Sequence, residues 1–143
     1  MRETFDKAFE ITIGLEGKPS NDPNDPGGFT IWGLSSRYNE GVSPATTIEE
    51  AKVIYLEKYW IPAGCDDAPY PMDICLFDSQ VNPQNDPKWN FGGNKEILNM
   101  HPENWQEYLL FRMVRYMRNS KAGFVKGHIF RALKLFQEIR GIA

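Results

Sequence analysis

Residues 16–33 read Glu16-Gly17-Lys18-Pro19-Ser20-Asn21-Asp22-Pro23-Asn24-Asp25-Pro26-Gly27-Gly28-Phe29-Thr30-Ile31-Trp32-Gly33, and the rest of the chain arranges itself around them. Just upstream, Phe5, Phe9 and Ile13 recur at helical spacing and Glu16 continues the series. At about 100° per residue, Glu16 lies within roughly 20° of Phe5 and Phe9 around that helix. An acid in line with an apolar stripe faces the interior or a cleft. Gly17 is a natural helix stop, which places Glu16 in the last turn. Desolvation and the negative end of the helix dipole both favour its protonated form there, the state a general acid needs near neutral pH.

The chain around this stretch has 143 residues, enough for one domain that buries roughly two thirds of its unfolded surface. Its composition is 41% hydrophobic and 24% charged, with a net charge of −3. That balance gives no electrostatic case for nucleic acid and argues against charge-driven attachment to an anionic wall. No apolar run is long enough to span a bilayer, and no stable membrane association is expected. The N-terminus, Met1 to Lys7, lacks the apolar core of a secretory signal, so cytoplasmic synthesis without a signal peptide is expected. Cys65 and Cys75 have no companion Cys or His motif for zinc and read as buried thiols; a disulfide stays open if the protein works outside the cytoplasm. The Asn/Asp-rich stretch lacks EF-hand alternation, which Pro23 and Pro26 break, so neither a metal nor another cofactor is expected.

In chain order, a first helix is expected over residues 3–16, followed by turns over 17–29. Thr30 to Gly33 looks extended, and Leu34 to Asn39 looks helical. Thr47-Ile-Glu-Glu50 is a capping box that starts a helix running to Trp60, with Pro62 closing it. Met72 to Val81 is apolar enough for a buried helix. A turn-rich stretch precedes a short helix through Ile97 and Leu98. His101-Pro102-Glu103 suits a helix start with Pro in the first turn, running to about Asn119. A last helix spans about Phe124 to Ile139 and carries Phe130, Leu133 and Phe136. The result is an all-α domain, or an α-dominated α+β one, with a hairpin-rich segment after the first helix.

Residues 16–34 resemble the signature of the glycoside hydrolase family 108 muramidases, approximately E-G-G-Y-x-N-D-P-x-D-P-G-G-x-T-x-Y-G-I. The likeness continues through Glu50-Ala51 to Tyr55 and Tyr59-Trp60, through Leu76-Phe77-Asp78 and Val81-Asn82, and through Arg112, Tyr116, Phe124, Gly127 and Arg131. Lys18-Pro19, Trp32, Pro83 and His128 depart from the family pattern, which bears on substrate preference and wall affinity.

The resemblance implies a lysozyme-like helical domain over 1–143. Its residues 1–82 would form a catalytic half and 83–143 a helical half resembling a peptidoglycan-binding region. It also implies a muramidase that hydrolyses the β-1,4 bond between N-acetylmuramic acid and N-acetylglucosamine, in phage-mediated lysis. A monomer is expected, acting on the wall or periplasm after release from the bacterial cytoplasm, or as part of a virion. Glu16 takes the role of acid. Phage lysozymes of another family carry an Asp nine residues after the Glu and then a Thr, which makes Asp25 the base and Thr30 a water-positioning hydroxyl. Asp22 competes with Asp25, and both also suit plain turn chemistry. Asp22, Trp32 and Asn82 are assigned to substrate binding. Asp78 and Arg131 read as a buried structural pair. Two alternatives stay open: a lytic transglycosylase using the same Glu16, and a catalytically inactive wall-binding module.

Overall fold

The computed structural model describes residues 2–16, 28–83, 94–120 and 122–143. Among these are six α-helices and one two-stranded hairpin: α1 (Phe5–Leu15), β1 (Thr30–Ile31), β2 (Leu34–Ser35), α2 (Ile48–Tyr55), α3 (Met72–Val81), α4 (Lys95–Leu98), α5 (Trp105–Asn119) and α6 (Val125–Ile142). The domain is α-dominated, as the sequence pattern requires.

Helix α3 is the axis of the core. Ile74, Cys75, Leu76, Phe77, Asp78 and Ser79 are all buried, so the helix is covered on every side, by α1 and α5 among others. A helix buried all round shows no amphipathic stripe; here the apolar run Ile74 to Phe77 is flanked by the buried polar side chains of Asp73, Asp78 and Ser79. Helix α1 delivers Phe5 and Phe9 to an aromatic cluster. The Phe5 ring lies edge-on to Trp60 at 5.4 Å and to Phe77 at 5.8 Å, and Phe9 lies edge-on to Tyr55 at 5.4 Å. Edge-to-face pairs of this kind add to the stabilisation that burial alone supplies. Cys65 and Cys75 are both buried in this core.

Helix α2 begins as its sequence dictates. The Thr47 hydroxyl accepts from the Glu50 amide at 3.2 Å, and the Glu50 carboxylate accepts from the Thr47 amide at 3.1 Å. The helix then widens into a single π-turn over Leu56–Trp60, closed by the Ile61 amide on the Leu56 carbonyl at 3.0 Å.

Three expectations are corrected. Leu34 to Asn39 is not helical. Leu34 and Ser35 pair antiparallel with Ile31 and Thr30, and Trp32-Gly33 makes the two-residue turn with φ of 53° and 73°. Two positive φ values in succession define the turn whose twist matches that of the flanking strands. Pro102 lies ahead of α5 rather than in its first turn, because Asn104 caps the helix by accepting from the Glu107 amide at 2.8 Å. Helix α6 starts one residue later and ends three later than expected. It buries Ala132, Leu135 and Ile139 while leaving Phe130 and Leu133 exposed.

Candidate active site

Glu16 follows the last residue of α1 and leaves the helix with extended backbone angles, its amide still bonded to the Thr12 and Ile13 carbonyls. The turn from helix to extended chain swings its side chain to the edge of the core, where it is 22% exposed. The carboxylate Oε1 accepts from Arg131 Nη2 at 3.2 Å. The same nitrogen donates to Asp78 Oδ1 at 2.9 Å, and Arg131 Nε donates to Oδ2 at 3.3 Å. Asp78 is fully buried and also receives Arg112 Nη1 at 2.6 Å and the Thr12 hydroxyl at 2.9 Å. Arg112 Nε in turn donates to the Tyr116 hydroxyl at 2.8 Å, which donates to the Asn82 carbonyl at 3.0 Å.

Charge explains why this cluster tolerates the interior. Two carboxylates face two guanidiniums, and nearly every lone pair and proton has a partner. Burial alone would raise Asp78, but Arg131 and Arg112 outweigh it and hold the carboxyl below the usual carboxylate range. Glu16 goes the other way. Burial lifts it, Arg131 pulls it down, the Asp78 charge pushes it up again, and the sum lies above the ordinary glutamate value. Two acids within one network thus have their protonation separated by environment, the pattern that assigns an acid its role. The phenols of Tyr55 and Tyr59 are raised by burial and then by the Glu16 charge, so they stay as neutral O–H groups at this site.

The hairpin turn closes against Glu16. A Cβ placed on Gly33 would lie 2.5 Å from the Tyr55 hydroxyl and 2.8 Å from Glu16 Cγ. Only glycine has both the space and the positive φ that this position needs. Trp32 beside it holds a left-handed backbone that is strained for a bulky residue. Two bonds over-determine it: its indole N–H donates to the Thr46 carbonyl at 2.9 Å, and its own carbonyl accepts from Tyr55 at 2.7 Å.

Of the residues singled out from sequence, Glu16 lies at the core edge, half-buried Thr30 lies in β1 opposite Ser35, and Trp32 lies in the hairpin turn. Asn82 ends α3 and enters the network through its carbonyl. Asp22 and Asp25 lie outside the described residues. The pairing of Asp78 with Arg131 is present, but a two-member reading misses that Arg131 also holds Glu16. Gly33 and Tyr55 stood inside the quoted motifs without a role; a Thr-x-x-Gly that ends a hairpin beside an acid is the signal for the first. Among the described residues no group of three or more His, Cys, Asp or Glu side chains is arranged to hold a metal ion.

The family described as Glycosyl hydrolase 108 matches residues 9–83, just over half of the chain. The chain belongs to glycosyl hydrolase family 108. The matched span of this family 108 protein contains Glu16, the hairpin, Tyr55 and Asp78, whereas Arg112 and Arg131 come from beyond it. Membership makes the protein a glycosidase, with peptidoglycan as the substrate class that the family implies. Comparison with characterised proteins and with solved structures finds no match.

Proposed function

We propose that the protein is a muramidase that hydrolyses the β-1,4 bond between N-acetylmuramic acid and N-acetylglucosamine, serving phage-mediated lysis of a bacterial cell. Cytoplasmic synthesis and later release to the wall belong to the same proposal. The observation that carries it is Glu16, a partly buried carboxyl raised by desolvation and set in a network where the neighbouring acid is kept ionised. In this reading Glu16 gives its proton to the glycosidic oxygen as the bond to the anomeric carbon breaks. A water attacks that carbon from the opposite face and gives its proton to Asp25, with Thr30 orienting the water. This is the two-carboxyl logic of an inverting glycosidase. Asp22, Trp32 and Asn82 contribute to sugar binding.

The test is Glu16→Gln on purified murein, read by mass spectrometry and NMR of the products. The variant should fold and lose at least about 100-fold in rate, the scale of general acid catalysis. Asp25→Asn should abolish hydrolysis, and Asp22→Asn should spare most of it. Near wild-type clearing by Glu16→Gln would overturn the assignment. An anhydro-sugar product would make the enzyme a transglycosylase, and an initial β-product would overturn inversion.

A further inference from the structure

The whole-chain charge of −3 conceals a segregation. Residues 105–143 hold eight Lys and Arg against two Glu, a net of +6, so the remainder is strongly acidic. Three of those cations, Arg112, Arg115 and Arg131, are turned inward onto Asp78, Glu96 and Glu16. Others stand on the surface of α6, beside its outward apolar side chains.

Val125, Ile129, Phe130 and Leu133 follow each other at three- and four-residue spacing along one side of α6 and line an open depression with Ala122 and Lys126. Phe130 is 50% exposed and Leu133 40%. The same helical pair exposes Leu110 and Met117 on α5, and Phe124 just ahead of α6. Lys126 Nζ sits 5.9 Å from the Phe130 ring centroid, and Arg140 is exposed two turns beyond Leu133. The only acid in α6 is Glu138, which lines a different depression with Lys7 and Glu10 of α1. At about 100° per residue, Lys126 and Arg140 fall within the same arc as the apolar side chains, and Arg131 lies roughly 150° away.

We propose that this face of α6 docks the enzyme on an anionic phospholipid bilayer. Its apolar side chains enter the boundary between headgroups and acyl chains, while Lys126 and Arg140 extend their charged ends to the phosphates. Two features favour this occupant over a second copy of the chain. Apposing the face to itself would set Lys126 and Arg140 against like charges. A handful of side chains is also well short of the roughly 20–30 residues per partner that a standard stable interface uses. No helix among the described residues is long and apolar enough to cross a membrane, so the contact is peripheral. The side of α6 that holds Arg131 against Glu16 then points away from the lipid. This departs from the expectation of no stable membrane association, which rested on the lack of an apolar run long enough to span a bilayer and did not consider a peripheral contact.

The test is sedimentation of the full chain with vesicles of phosphatidylglycerol or of phosphatidylcholine. Partitioning onto phosphatidylglycerol should exceed that onto phosphatidylcholine at least about tenfold and fall with added salt. Phe130→Ser with Leu133→Ser should lower it at least about tenfold. Lys126→Glu with Arg140→Glu should lower it at least about 25-fold, since each basic residue near an anionic leaflet is worth about fivefold. All four positions are exposed, so circular dichroism and Tm should match wild type. Four results would overturn the proposal: no partitioning onto phosphatidylglycerol, equal partitioning onto both lipids, variants that partition like wild type, or the same substitutions dissolving a dimer or weakening binding to lipid-free murein sacculi instead.

Discussion

At the scale of single residues, Asp78 anchors the buried network that Glu16 joins through Arg131. Asp78 is fully buried between two guanidiniums, so Asp78→Asn leaves Arg112 and Arg131 in the interior with half their compensation. Breaking such a pair from one side costs about 3–5 kcal/mol, and urea unfolding at neutral pH should show a loss of that order. The pH dependence has a definite sign. The folded carboxyl is held below its unfolded value, so its contribution is complete above about pH 4 and is lost as the pH falls toward the folded value. Wild type should therefore lose stability on acidification more steeply than Asp78→Asn. Arg131 acts on Glu16 through charge. Arg131→Met removes the cation that lowers the Glu16 carboxyl, so a larger fraction stays protonated at a given pH. The alkaline limb of the kcat/KM profile should move to higher pH, even as the maximal rate falls through lost positioning. An unmoved limb would show that Arg131 is structural alone.

At the scale of elements, the turn of the hairpin packs against Glu16. Gly33→Ala puts a methyl group where the Tyr55 hydroxyl and Glu16 Cγ already lie, on a backbone at φ 73°. The left-handed strain alone is worth about 1–2 kcal/mol, and the displaced carboxyl should lower murein hydrolysis at least about tenfold. Thermal melting and rate assays on the purified variant check both. Helices were the legible part of the sequence because their signals are local. The capping box at Thr47 and the apolar run of α3 each announce themselves within a few residues. The hairpin was misread at Leu34 because its turn is Trp-Gly rather than Asn-Gly. Its left-handed Trp32 is held by Thr46 and Tyr55, partners 14 and 23 residues away. No local propensity reports such bonds. The outward Phe130 and Leu133 show the same limit: periodicity finds an apolar stripe but does not say which side of α6 the core takes.

At the scale of the whole molecule, α3 is the element buried among α1, α5 and the segments around Trp60 and Cys65. Its amides from Ile74 to Ser79 should be among the slowest to exchange with deuterium, opening only with global unfolding, whereas those of the hairpin should exchange through smaller openings. Glu16 was legible because it lies in register with Phe5 and Phe9. Its cation was not, since Arg131 stands 115 residues away and joins it only through the packing of α6. That separation gives the order of synthesis a meaning. A ribosome finishes the acid, the hairpin and Asp78 well before it makes α6, and Arg131 cannot meet Glu16 until α6 has left the exit tunnel and docked. A chain still being translated therefore carries the acid in an unfinished setting.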